Sequence, residues 1–166
     1  MDREALDHSI VRRLLDHIEN RTTDMADDIM EVPTAFYSAE YLAEELDALF
    51  YSQPLVLCLS GALPRPGTYR TVDMCGTPIL LTRDSDGQVR AMLNACRHRG
   101  VRVAEGSGEA LRLTCPFHAW SYNLDGSLFR YPVPEGFKGM CREDKGLVQL
   151  EVAEGYGLII GRLRPG

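Results

Sequence analysis

Cys96-Arg97-His98 and Cys115-Pro116-Phe117-His118 each place one thiol and one imidazole within a few residues of each other, and sixteen residues separate His98 from Cys115. Thiolate and imidazole are the ligands that soft and borderline transition metals prefer, so two matched pairs point to a metal centre. The way the pairs are composed narrows its type. A mononuclear zinc site usually takes two cysteines from one turn and two histidines from a following helix. A two-iron, two-sulfide centre of mixed ligation needs two cysteines on one iron and two histidines on the other. Two adjacent loops that each supply one of each kind meet the second requirement better than the first.

The residues around the pairs extend the pattern. C-R-H-R-G at 96–100 and C-P-F-H-A-W-S-Y-x-L-D-G at 115–126 resemble the loops of Rieske proteins, and within them the large subunits of ring-hydroxylating oxygenases. The resemblance covers roughly residues 33–160, including Pro33 to Phe50 and Leu63-Pro64-Arg65-Pro66-Gly67-Thr68-Tyr69. It implies a [2Fe–2S] cluster with Cys96 and Cys115 on one iron and His98 and His118 on the other. Arg97, Arg99, Gly100, Pro116 and Trp120 would surround it. Gly100 would let the chain turn close to the cluster and Pro116 would stiffen the second loop. Trp120, the single tryptophan, reads equally as a shield over the site or as a core aromatic. Arg97 and Arg99 would offset charge, meet an acidic partner, or simply face water. Ala119 stands where the family most often has glycine, which implies a φ below zero there or slightly looser packing. The mitochondrial-type relatives add a disulfide between the loops; Val101 and Phe117 occupy those positions here, so that bridge is excluded.

The elements that must hold these loops are legible in the periodicity. Leu6, Ile10, Leu14 and Ile18 recur at helical spacing, predicting a helix that stops near Arg21 before a polar, acidic stretch ending at Pro33. Ser38 reads as an N-cap for a second helix from Ala39 to Phe50. Beyond it the texture changes to short strand-like runs at 55–60, 69–74, 79–83, 89–94, 110–114, 119–123, 147–152 and 156–160. They are separated by turn signals such as Cys75-Gly76 and Leu124-Asp125-Gly126. The expected fold is mainly β: a Rieske-type antiparallel sandwich or small barrel at 51–166 with two cluster-binding loops, preceded by a helical arm at 1–50. A Pro/Gly-rich loop is expected at 132–146.

Charge and composition bound the rest. The chain carries a net charge of −6, but residues 1–50 hold 13 acidic and 4 basic side chains while 51–166 hold 11 and 14. The half with the metal motif is therefore mildly basic, with Arg97, Arg99 and Arg102 at the first loop. No large basic surface or aromatic series suggests nucleic acid. No apolar run approaches the roughly 18 residues of a membrane span. The opening Met1-Asp2-Arg3-Glu4 lacks the apolar core of a secretory signal, so a cytoplasmic setting is expected. Of five cysteines, Cys58 reads as a buried inert thiol, and Cys75 and Cys141 as incidental.

An oxygenase of the resembled family also holds a mononuclear iron on two histidines and a carboxylate. Apart from the four-ligand set, only His8 and His17 remain, and nine residues on a helix place them on opposite faces. Both read as solvated, and no catalytic, oxygen-activating centre is expected in this chain. Three functions follow. The first is the Rieske portion of an oxygenase large subunit, taking electrons from a reductase or ferredoxin and passing them to a mononuclear iron in another domain or subunit, with homo-oligomerisation left open. The second is a free-standing Rieske ferredoxin-like carrier. The third is a zinc-stapled or redox-sensing module that performs no electron transfer.

Overall fold

The computed structural model of the chain describes residues 3–25, 33 and 37–165. Most of the acidic stretch expected between the helices lies outside the described residues. The chain divides into two compact units, Met1–Ser38 and Ala39–Gly166.

In the first unit, α1 spans Arg3–Asn20. Its end is chemically defined: Arg21 takes a left-handed φ of +52° and the Thr22 N–H reaches back to the His17 carbonyl at 3.0 Å. This is the backbone pattern that closes helices through a left-handed residue. The apolar stripe from Leu6 to Ile18 is exposed. His8 is solvated as expected, but His17 is not. Its Nδ1 lies 2.9 Å from Thr22 Oγ1 and its Nε2 3.1 Å from Asp24 Oδ1, because the capping turn folds those side chains back over it.

The second unit opens with α2, Ala39–Glu45, directly after Ser38. The helix predicted to run to Phe50 instead widens into a π-helical turn at Leu46–Tyr51. The extra residue per turn accompanies a new anchor: the Tyr51 hydroxyl donates to the Cys75 carbonyl at 2.8 Å.

Among the described residues eleven strands follow, in three antiparallel sheets. β1 (Leu55–Leu59), β11 (Leu158–Gly161) and β10 (Val152–Gly155) form the first, in that order. The central sheet has the order β5-β2-β3-β4-β9, from Ser107–Glu109, Thr68–Met74, Thr77–Arg83, Val89–Leu93 and Gln149–Leu150. The third comprises β6 (Leu113–Thr114), β7 (Ser121–Tyr122) and β8 (Leu128–Arg130). The predicted strands are present, although those flanking the second loop and the run at 147–152 are shorter. β5, β8 and all of β10 but Val152 fall outside the predicted runs; Ser107-Gly108-Glu109 of β5 is an exposed edge strand with no apolar residue to betray it.

The central sheet is covered on both faces. Side chains alternate across a strand, so Ile79, Leu81 and Ala91 enter one core with Leu57, Leu63, Leu150, Ile159 and Leu163. Leu80 and Met92 enter the other with Cys96, Cys115, Trp120, Tyr122 and Leu128. Burial on both sides explains why β3 reads as the unbroken run Ile79-Leu80-Leu81. The two loops of interest lie over the second core, one following β4 and the other between β6 and β7.

Candidate metal centre

Each loop is a short backbone turn begun by its cysteine. In the first, the Cys96 N–H donates to the Val101 carbonyl and the Gly100 N–H returns to the Cys96 carbonyl, both at 2.8 Å. In the second, the Cys115 N–H donates to the Trp120 carbonyl at 2.8 Å and the Ala119 N–H to the Cys115 carbonyl at 3.0 Å. The two turns thus share one hydrogen-bond pattern, from position i to i+5 and from i+4 back to i. Position i+4 is left-handed in both: Gly100 has φ +73° and Ala119 φ +56°. Of the two alternatives drawn for Ala119, a φ below zero is therefore ruled out. The closing hydrogen bonds impose the conformation, and alanine bears the steric penalty that glycine avoids.

The turns separate sulfur from nitrogen by depth. Cys96 and Cys115 are 4% and 3% exposed, and the two thiols are close enough for Cys115 to help raise the pKa of Cys96. His98 is half-buried and His118 exposed, with ring centroids 4.7 Å apart at 71°. The four residues singled out from the sequence are thus brought together as a buried sulfur pair behind a more accessible imidazole pair. Burial pushes the Cys96 thiol up, against the pull of the Tyr122 hydroxyl. Partial burial, helped by His118 and Arg99, holds His98 below the usual imidazole value and so neutral, the form that ligates metal. Among the described residues, no three His, Cys, Asp or Glu side chains converge closely enough to hold a single ion. The donor set and its layering fit a two-iron cluster with sulfur on the inner metal and nitrogen on the outer.

Side chains beyond the four complete the frame. Trp120 is 2% exposed, and its ring stacks on His98 at 5.1 Å and 5°. Arg97 and Arg99 are exposed and form no ion pair with a described residue. Arg102, by contrast, is engaged by Asp73 through two hydrogen bonds of 2.6 and 2.8 Å, fastening the first loop to β2. Pro116 is exposed on the second turn, and Phe117 packs on His118 at 3.9 Å. All five cysteines are free; Cys58 and Cys75 are half-buried and Cys141 exposed.

Sequence reasoning missed two residues that shape the site. Asn94, 1% exposed, closes the base of the first loop. Its Nδ2 donates to the Ala104 carbonyl at 2.8 Å, and its Oδ1 accepts from the Val103 and Ala104 N–H groups at 2.9 and 3.3 Å. Its signal was a polar residue at the end of the apolar β4. Tyr122 is fully buried. Its hydroxyl accepts the Arg97 N–H at 3.0 Å and lies 3.2 Å from Cys96 Sγ, to which the phenolic proton is given when that sulfur is a thiolate. Burial, first, and the bond to Cys96 raise its pKa well above the ordinary phenol, so it remains a donor. Tyr122 lies within the C-P-F-H-A-W-S-Y motif, but nothing in its spacing marks it as a sulfur partner.

Residues 53–143 match the model of the Rieske [2Fe-2S] domain. The chain belongs to the Rieske family. The domain it contains binds a [2Fe–2S] cluster, and its fold is the Rieske type with an N-terminal helix. The biphenyl 2,3-dioxygenase subunit alpha of Rhodococcus jostii (strain RHA1) is 36% identical over 126 residues, covering 74% of this chain and 27% of that protein. A quaternary ammonium Rieske monooxygenase superposes with a TM-score of 0.74 at 31% identity, covering 81% of this chain and 40% of that one. Naphthalene 1,2-dioxygenase from Rhodococcus sp. gives 0.73 at 27% identity, covering 98% of this chain and 36% of its own. The chain spans between 27% and 35% of the length of such curated relatives.

Two outcomes test this frame. Ala119→Gly should raise the melting temperature by about 2–4 °C, the equivalent of about 1 kcal/mol of relieved strain in a chain of this size; an unchanged or lower value would show that alanine is unstrained there. Tyr122→Phe removes a proton donor to the Cys96 sulfur that would favour the more negative, reduced state of the cluster. A differential of about 1 kcal/mol corresponds to roughly 40 mV, so the potential should fall by about that much in a redox titration. A potential that stays or rises would contradict a sulfur-directed hydroxyl.

Proposed function

We propose that Cys96 and Cys115 hold one iron of the cluster and His98 and His118 the other. On this reading the chain relays single electrons, from a reductase or ferredoxin to a mononuclear iron carried by another domain or subunit. The observation that carries this is the layering of the four side chains, with both thiols buried and the imidazoles towards the surface. Bound there, a [2Fe–2S] group with two imidazole ligands supplies a one-electron couple at a higher potential than all-cysteine plant-type ferredoxins. The buried core keeps water from the sulfur side, and the imidazoles form the edge that a partner can approach.

The relatives named as alpha subunits of dioxygenases support the acceptor side of the proposal. As a functional division we take residues 1–50 as an arm and 51–166 as the cluster-bearing domain. Five free cysteines fit a cytoplasmic, reducing setting, and among the described residues no helix is long and apolar enough to cross a membrane. The donor side draws on Arg97 and Arg99, which flank His98 and are not neutralised by a described neighbour, unlike Arg102. Such charges steer an acidic partner and speed its encounter.

The test is anaerobic stopped-flow reduction of the cluster-loaded chain by an acidic plant-type ferredoxin. The wild type should take up one electron per chain. The double variant Arg97→Glu, Arg99→Glu should react about tenfold more slowly at low salt, with the gap closing as ionic strength rises. Failure of the wild type to accept an electron would reject the relay. Equal rates for both proteins at every salt concentration would reject an acidic donor at this face.

A further inference from the structure

The Pro/Gly-rich loop at 132–146 passes beside the metal site and carries two short 3-10 turns, Pro134–Phe137 and Glu143–Lys145. Its course is strained at one residue. Val133 has φ +52° and ψ 59°, a left-handed conformation that β-branched side chains almost never adopt. Pro134 follows it, and a following proline disfavours helical backbone as well. Strain of this kind persists only where the surroundings over-determine it.

What the strained entry delivers is Phe137. Its ring meets three others edge to face: His98 at 5.7 Å and 80°, Trp120 at 5.3 Å and 76°, and Tyr131 at 5.5 Å and 81°. Trp120 already stacks flat on His98, so that imidazole has aromatic surface on two sides. A groove of about 600 Å³ opens beside it, lined by Arg97, Lys138, Met140 and Lys145 together with Phe137 and His98. Phe137 is only half-buried and packs at the margin of the core. Removing its ring therefore widens the groove over the imidazole more than it hollows the core.

We propose that Phe137 is a positioning residue through which the 132–146 loop keeps water away from His98 and so holds the cluster's potential down. The inference rests on His98 being an iron ligand, as set out above. Reduction adds one negative charge at this edge, and that charge is stabilised less where solvent is excluded. Solvent exposure is one of the factors that set the potential of such clusters. Lys138 and Lys145, delivered by the same loop, act in the opposite sense through their positive charge and Asp144 offsets them, so the test leaves all three in place.

Cluster-loaded wild type, Phe137→Ala and Phe137→Leu are compared by redox titration and by deuterium spin-echo modulation of the reduced state in D2O. In Phe137→Ala the equilibrium constant for reduction should rise several-fold, up to about tenfold, equal to about 59 mV for a one-electron couple. Its deuterium modulation should increase as well. Phe137→Leu, which restores apolar bulk without an aromatic ring, should match the wild type in both readouts. Should the alanine variant fail to load, Phe137→Asn, which admits water while keeping more volume, is read by the same criteria. An intact Rieske spectrum with unshifted potential and unchanged modulation would overturn the inference, as would a leucine variant that shifts as far as alanine. Absence of a Rieske spectrum in the wild type would instead overturn the ligand reading on which it rests.

Discussion

Two backbone hydrogen bonds at each cysteine underlie the rest of the site. An N–H from position i to i+5 and a return bond from i+4 close a turn tight enough to point a thiol inwards and a histidine outwards. The turn occurs twice, at Cys96 and Cys115, although the histidine sits two residues after the cysteine in one case and three in the other. The recurring element is thus the backbone turn; the spacing of the imidazole can vary by one residue on it. The closure demands a left-handed residue at i+4, met without strain by Gly100 and at some expense by Ala119.

Turns of this kind need rigid ends. The central sheet provides them by being packed on both faces, one core joining it to the β1-β11-β10 sheet and the other to the small sheet of β6, β7 and β8. Asn94 then locks the base of the first turn with three hydrogen bonds, and Arg102 ties it to β2 through Asp73. Tyr122 reaches from β7, just after the second turn, to the sulfur and backbone of the first. Through that one hydroxyl, a side chain of the second segment fixes the geometry of the first. Sulfur orientation and turn spacing are therefore coupled, as expected where neighbouring residues orient the ligands and tune a metal.

Much of this was legible in the residues. The two Cys/His pairs, the β-rich second part and its main turns could be read because ligand chemistry and two-residue periodicity leave local marks. Features that depend on distant segments left none. Asn94 and Tyr122 act across 10 and 26 residues of chain, and no local pattern identifies the partner. The left-handed Ala119 follows from hydrogen bonds that only the folded turn reveals. Strand β5 is polar because one edge of it is open, and the widening of the second helix answers an anchor at Cys75. His17 looked like a surface residue until the capping turn at Arg21 brought Thr22 and Asp24 onto it. In each case a contact made only in the folded chain overrode a sound local preference.

The central claim is that the metal edge facing the solvent is held by two imidazoles and the inner edge by two thiolates, so that an added electron resides on the outer iron. Nitrogen hyperfine spectroscopy of the dithionite-reduced, cluster-loaded chain reads that edge directly. The account predicts couplings to two imidazole nitrogens, with one lost in His98→Cys and the other in His118→Cys. A reduced cluster without nitrogen couplings, or couplings that survive both replacements, would contradict it.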